Sequence, residues 1–537
     1  MCRIYPVTPG SRILEFLFCG KFSSSQGGLR AGTATTHMIR SDAFRMRQQS
    51  SGFASCSPQD VILAAADCRQ SMYCHLLCGL LHAHEVEVLS APFAFTLVEA
   101  LRTLEAEWRT LCRDIRSGEL NHKISDPVLR LAMADHILLR KPNPELADSI
   151  AAKCRSLTSK RALQSGGAWK GVVRTLWPRC RYILSILTGA MEVYVEKLEF
   201  YTAGDVPLVS ADYGATEGWI GVNAGPSLRP SDVSFTILPT LAFFEFIPLS
   251  RRSTSSCMNE VSNGGGGGGA ALAAYEEGAP VGLTDVKVGQ EYEVVMTTAW
   301  GLYRYRLGDI VRVTGFYNSA PQVAYVCRKN VMLSLNIDKI TEKDLKAVVD
   351  RAAKRLVEAS GGSMELVDYT SYADRSSTPG HYVVFWEVEG EDAAAMSSTT
   401  MDSEVQSCGA KACHKRRGAW SEEEEGPQRK QQQQKQQESS EEEEEEEEEE
   451  VLGECAALMD GGFVEAGYVT SRKMGSIGPL ELCVVRRGTF SRLLDRFMQS
   501  GAAMTQYKTP RCVVAPDALS LLRSSAVASI FSPTALP

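Results

Sequence analysis

The sequence predicts an α/β protein in two unequal parts, a large N-terminal α/β domain and a smaller α/β C-terminal domain. Three observations carry this. From about residue 60 onward, short apolar runs trade places with longer segments whose apolar residues recur every three or four positions. At 537 residues the chain is too long for a single core. The cationic junction Arg328-Lys329-Asn330 is followed by a fresh round of helix and strand patterns.

Taken in order, residues 1–52 show little periodicity and many turn formers, and poor order is expected there. The first fifty hold only Glu15 and Asp42 as acids and are rich in Arg, Ser and Thr. That is the composition of an organelle transit peptide, a minor alternative to a cytoplasmic protein. Val61 to Ala65 reads as a short buried strand, followed by a helix, CRQSMYCHLLCGLLHAHE. A strand at Val86 to Leu89 leads into a long helix in which Leu97, Leu101, Leu104, Trp108, Leu111 and Ile115 form one apolar stripe. Small helices broken at Pro142 and Pro144 come next. Tyr182 to Leu187 is a strand ending in Thr188-Gly189-Ala190-Met191, and a second strand from Leu208 runs into Tyr213-Gly214-Ala215-Thr216-Glu217. In open α/β sheets ligands gather at such strand ends.

Further strands are expected at Ser234 to Leu238, Phe243 to Ile247 and Tyr292 to Thr298. The glycine run within 250–274 has no preceding buried strand and no Lys-Ser/Thr end, so it is an insertion and not a phosphate loop. Tyr303 to Arg306 alternates aromatic with Arg, the period of a half-buried strand, and Leu307-Gly308-Asp309 reads as a turn. A carboxylate there either accepts the two hydroxyls of a ribose or only caps the turn. Beyond the junction, Leu345, Val348, Val349, Ala352 and Leu356 mark a helix and Tyr382 to Val388 a strand. An acidic, Gln-rich insert at 389–454 interrupts this part, which resumes at Ala456 with a strand at Leu480 to Val485 and a helix at Phe490 to Met498. The domain limits are then 53–327 and 328–537.

The formal net charge of −8 belongs to the insert. Residues 391–454 carry 20 acids and 7 basic residues, so the rest of the chain is positive by about 5, which suits an anionic substrate. The 16 cysteines are scattered, with no paired units at zinc spacing, and point to free thiols in a reducing compartment. Cys408 to His414 has a metal-like look but lies in low-complexity sequence. No run of 18 apolar residues exists, so no membrane partner is expected. Lys415-Arg416-Arg417 sits beside acids that neutralise it, so no nucleic-acid partner is expected either.

Tyr213-Gly-Ala-Thr-Glu217, the Tyr303-to-Asp309 stretch, the Arg328-Lys329 junction and Lys508 occur in that order. So do TGAM at 188–191, RKNVMLS at 328–334, TSYAD and PGHY at 370–382, SIGPLE at 476–481, QYKTPR at 506–511 and the terminal FSPTALP. Over roughly residues 53–537 this resembles the plant GH3 family, the auxin-responsive acyl acid–amido synthetases of the adenylate-forming superfamily. The resemblance implies an adenylation domain incomplete at its start and a mobile C-terminal domain. It also implies a ligase that uses ATP and Mg²⁺ to adenylate an indole-3-acetate-like or jasmonate-like acid, then transfers the acyl group to an amino acid.

By the same resemblance Glu217 holds the Mg²⁺ and serves catalysis, Thr216 lies by the α-phosphate and Tyr213 near the adenine. Asp309 takes the ribose hydroxyls, supported by Arg328. Lys508 is carried in by rotation of the small domain to meet phosphate and carboxylate oxygens. Leu97 and Val98 line the acyl pocket or simply pack the core. Two departures stand out. Ala299-Trp300 replaces the family's Tyr-Ala, and no Ser/Thr/Gly-rich phosphate loop is found ahead of the QSMY helix, Ser23-Ser24-Ser25-Gln26-Gly27-Gly28 being only an imitation. The chain is therefore expected to start inside the large domain. That keeps a second reading open, a catalytically impaired relative acting as a ligand-binding or interaction protein, with the acidic insert as the surface for a weak protein partner.

Overall fold

In the computed structural model, the first strand, β1 (Arg12–Glu15), lies inside a parallel sheet with β2 (Ala54–Ser55), β3 (Val86–Phe93), β4 (Tyr182–Ile186) and β5 (Leu208–Val209), in the spatial order β2-β1-β3-β4-β5. The structure describes residues 5–251, 275–390 and 448–533, apart from positions 21, 33, 45, 47–53, 64–66, 137–140, 165–166, 226–228, 330, 336–337, 500–503 and 505–506. Its contacts divide the chain into two units, Met1–Asn330 with Ser491–Thr509, and Val331–Phe490 with Pro510–Pro537.

In the large unit, α1 (Cys68–Leu81) starts at Asp67, whose carboxylate accepts from the backbone N–H groups of Arg69 and Gln70. The long helix α2 (Ala94–Ser117) follows β3 directly, and its apolar stripe is buried as the periodicity predicts. Helix α3 (Pro144–Leu157) packs beside it, capped by Asn143 with Pro at its start. β3 is buried along nearly its whole length, and its one carboxylate, Glu87, is held by Arg179 and Arg181.

Two expectations are corrected here. The N-terminal stretch is not uniformly without order: β1 is a central strand, and Leu14, Phe16 and Phe18 enter the main core at 2% exposure or less. The run RILEFLF is short and interrupted by Glu15, which hides its strand character when read alone. Val61 belongs to a short helix, Gln59–Leu63, and not to a strand; a five-residue apolar run does not distinguish the two. The imitation phosphate loop is the tip of a small hairpin pairing Ser23–Ser24 with Arg30–Ala31.

The second sheet of the large unit is antiparallel. It comprises β6 (Asp212–Ala215), β7 (Gly218–Val222), β8 (Phe235–Ile237), β9 (Phe243–Arg251), β10 (Tyr275–Glu277), β11 (Val281–Gly282), β12 (Glu291–Thr297), β13 (Tyr305–Tyr317) and β14 (Ala320–Arg328). Their order is β10-β9-β12-β13-β14-β8-β7-β6, with β11 also on β9. The glycine run falls between β9 and β10, and its residues 252–274 lie outside the described ones.

The small unit holds a mixed sheet, β15 (Glu365–Asp374), β16 (His381–Glu389), β17 (Glu481–Val485) and β18 (Ala526–Phe531), in sequence order. Helix α4 (Glu342–Ala359) begins with a capping box of Thr341 and Asp344 and buries Leu345, Val348, Val349, Ala352 and Leu356. A further helix spans 448–462, so it already includes the end of the Glu run, ahead of Ala456; burial of Leu452, Cys455, Ala456 and Met459 anchors it. Residues 391–447, including the Cys408 to His414 and Lys415-Arg416-Arg417 stretches, lie outside the described ones. The cysteines that are described are free thiols, as their spacing suggests. Among the described residues no helix is long and apolar enough to cross a membrane.

Arg511, from the QYKTPR segment, ties the small unit together. Its guanidinium donates to Asp368 Oδ1 and to the Tyr369 carbonyl, each at 2.6 Å, and both ion-pair side chains are 3% exposed. Replacing one partner of such a pair strands the other charge in a dry interior. Arg511→Gln is therefore expected to cost about 3–5 kcal/mol, read as a lower urea midpoint for the small unit's unfolding.

Candidate active site

The site grows out of an irregularity in β13. Its pairing with β12 joins Arg306 to Val295 and Ile310 to Glu293, so Leu307, Gly308 and Asp309 together face Val294 alone. The excess residues are absorbed by a bulge, made possible by Gly308 at φ +73°, in the left-handed region that glycine enters without a Cβ clash. The Lys329 N–H holds the bulge by donating to the Gly308 carbonyl at 2.7 Å. The expected turn at Leu307-Gly308-Asp309 is thus a bulge within a continuous strand. Turn and bulge share the Gly signature, and only the partner strand distinguishes them.

On its other edge Asp309 stands opposite Arg328, the last residue of β14. Arg328 Nε lies 3.0 Å from Asp309 Oδ1, and the Tyr213 hydroxyl donates to Oδ2 at 2.7 Å. The carboxylate is 5% exposed, and Oδ1 accepts no hydrogen bond, because the guanidinium N–H groups are not aimed at it. Burial pushes the Asp309 carboxyl above its ordinary pKa; Arg328, Tyr213 and Lys508 pull it down and Glu217 pushes it up. Burial, then Asp309, lifts the Tyr213 phenol well above its usual value. Asp309 is therefore in electrostatic reach of Arg328, Lys508 and Glu217 at once.

Thr216, exposed, and Glu217, half-buried, form the two-residue turn of the β6–β7 hairpin, closed by the pairing of Ala215 with Gly218. Lys508 places its ammonium 4.8 Å from the centre of the Phe93 ring, at the carboxyl end of β3, while Tyr507 packs on Phe95 and Phe497. Lys508 belongs to the large unit's contact group, although the sequence reading puts it with the small domain. Leu97 and Val98, each 1% exposed, pack in the large core at the start of α2.

The TGAM segment opens a short 3₁₀ helix at Gly189, φ +63°. A Cβ on Gly189 would stand 2.8 Å from the Tyr325 ring, which meets Tyr213 edge-on at 6.1 Å. This close approach supports the phenol that binds Asp309.

The cations of the Tyr303-to-Asp309 stretch turn out to be neutralised locally. Arg304 grips Glu245 with two bonds of 2.9 and 3.0 Å. Arg306 and Lys329 both bind Glu293, 2% exposed, and both bind Glu277. The sequence reading missed this network, though Glu293 inside the apolar run of β12 was a signal: a buried strand carboxylate needs a cation opposite.

Among the described residues no three His, Cys, Asp or Glu side chains cluster as a metal site. Glu217 is a lone carboxylate, which suits Mg²⁺ shared with substrate phosphates but not a protein-only cage. The unbonded Asp309 Oδ1 suits a hydroxyl donor.

Family models match the chain in three consecutive parts: the GH3 family N-terminal domain over residues 1–208, the central domain over 235–328, and the C-terminal domain over 343–415 and 429–517. The chain belongs to the GH3 family. The GH3 match includes the N-terminal residues, ahead of where the sequence motifs begin. Among its relatives, the jasmonoyl-L-amino acid synthetase JAR6 of Nicotiana attenuata is 42% identical over 99% of this chain and 76% of its own length. The indole-3-acetic acid-amido synthetase GH3.10 of Arabidopsis thaliana is 40% identical over 98% of this chain and 76% of its own. The solved GH3.15 acyl acid amido synthetase matches with a TM-score of 0.72 at 32% identity, covering 98% of this chain and 75% of that one. GH3 relatives are thus named as amide-forming synthetases and ligases, and nothing among them favours the impaired, binding-only reading.

The Glu277 carboxyl is held down to about 2, first by the hydrogen bond from Arg306 and then by that from Lys329. A depressed carboxylate stabilises the fold above its ordinary value of 4.5, and that contribution disappears as pH falls toward about 2. Lys329→Met removes one of the two cations, so the acid-unfolding midpoint is expected to move to higher pH in a circular-dichroism titration.

Proposed function

We propose that this chain joins a small carboxylic acid to an amino acid through an acyl adenylate made from ATP. The observation that carries the proposal is Asp309: a buried carboxylate with one oxygen held by Tyr213 and the other without a hydrogen bond. An unsatisfied buried acceptor is costly, and a ribose hydroxyl would satisfy it. Tyr213 and Arg328 fix the carboxylate's position, and the Gly308 bulge fixes the backbone beneath it.

A carboxylate is a poor electrophile, so its oxygen must attack the α-phosphorus of ATP and expel pyrophosphate. The amine of the amino acid then attacks the acyl carbon and AMP leaves. Negative charge gathers at the α-phosphate in the first step. Lys508 meets those oxygens together with the acid's carboxylate, and Thr216 stands beside them. Glu217 would hold Mg²⁺, which would supply further neutralisation of the phosphate charge. Leu97 and Val98 line an apolar pocket suited to an indole-3-acetate-like or jasmonate-like acid, the acids of the named relatives. The free thiols support the cytoplasm as its compartment.

Incubation with ATP, Mg²⁺, a panel of such acids and a panel of amino acids is expected to release AMP and yield an amide. Absence of AMP or pyrophosphate with every pair would count against the proposal. Lys508→Ala is expected to slow adenylation by about 10²–10³. Asp309→Asn removes a charge that burial disfavours, so thermal stability should hold or rise while AMP binding weakens by about tenfold or more. A melt and an AMP titration read the two effects separately.

A further inference from the structure

Far from Asp309, where the second half of α2 packs on α3, an open surface hollow of about 340 Å³ is lined by Trp108, by the exposed Arg109, Arg113 and Arg116 of α2 and by the exposed Arg155 of α3, with Cys112 between them. The three α2 arginines follow at intervals of four and three, one stripe of like charge on one helix face. Such stacking destabilises a helix unless a counter-charge faces it. Asp148 pairs with Arg116. Among the described residues no ion pair joins a carboxylate to Arg109, Arg113 or Arg155, Arg113 feeling only the field of the buried Asp114, so the positive charge around the hollow is incompletely balanced. Two of the four guanidiniums are already held in place, Arg116 by Asp148 and Arg109 over the Trp108 ring at 4.5 Å.

We propose that this hollow is a binding site for a group bearing two or more phosphates. Guanidinium forks match phosphate oxygens two at a time, and a volume at the small end of ligand sites admits a compact anion. Along the helix axis, Arg109 to Arg116 lie about 20–35 Å from the start of α2 beside Phe93 and Lys508, so the hollow is separate from the nucleotide cluster. Cys112 is nearly covered, and burial raises its thiol to about 11, so it offers packing and not a competing negative charge.

The test is calorimetric titration of the full chain with inorganic tripolyphosphate, alongside flotation with vesicles containing phosphatidylinositol bisphosphate. Arg113→Gln/Arg155→Gln is expected to weaken binding at least about tenfold at unchanged melting temperature, whereas Lys508→Ala, at the nucleotide cluster, leaves it intact. Arg113→Lys/Arg155→Lys keeps the charge but loses the fork, and should bind less tightly than the wild type. Binding of soluble tripolyphosphate identifies a free anion, and binding of vesicles alone a lipid headgroup. Failure of the wild type to bind either probe, or binding equal in the wild type and the Gln variant, would overturn the proposal. So would full retention in the Lys variant, which would mark diffuse charge attraction.

Discussion

The hydrogen bond from Tyr213 to Asp309 joins β6, at one edge of the antiparallel sheet, to β13 in its interior. Without it a carboxylate at 5% exposure would depend on Arg328 alone, an ion pair whose N–H groups are not aimed at Oδ1. Three strands contribute to that one group, and each has its own reason to be in register. The β6–β7 hairpin closes on a two-residue turn, β13 bulges at Gly308, and β14 ends with Arg328 directly opposite Asp309. The arrangement leaves one oxygen hydrogen-bonded to Tyr213 and the other facing Arg328 without a hydrogen bond.

Next to this acceptor the same sheet manages a denser set of charges. Glu293 is almost fully buried, and it is tolerable because Arg306 and Lys329 both reach it. Burial pushes its carboxyl up, but the two cations outweigh burial and hold it below the ordinary value. In Asp309 the balance has the opposite sign, since burial outweighs one arginine, one phenol and a more distant lysine. Two carboxylates on adjacent strands therefore have opposite characters. One is structural and saturated with donors, and the other is left short of them.

Much of this was legible in the sequence. The apolar stripes of α2 and α4 follow from residue type and spacing, whereas the grouping of YGATE with a downstream Asp and Lys rests on the family resemblance. The rest needed the partner strand. RILEFLF is too short to declare itself a central strand, and LGD is compatible with both a turn and a bulge. The Glu293 network joins residues brought together by pairing of β12 and β13, so no local window contains both signs of charge. The place of Lys508 in the large unit's contact group depends on packing by Tyr507 and its neighbours, which spacing does not encode.

Gly189 carries a consequence for how variation in this chain is tolerated. It follows the last parallel strand but one, whereas Tyr325 and Tyr213 belong to the antiparallel sheet. A space no larger than a methyl group lets the two sheets approach at that point. The alignment of one sheet is thereby transmitted to the other through two aromatic rings, ending at a carboxylate oxygen. Even alanine at 189 would act at a distance, displacing the acceptor without touching it, and a drift in either sheet would show first as a loss of aim at Asp309.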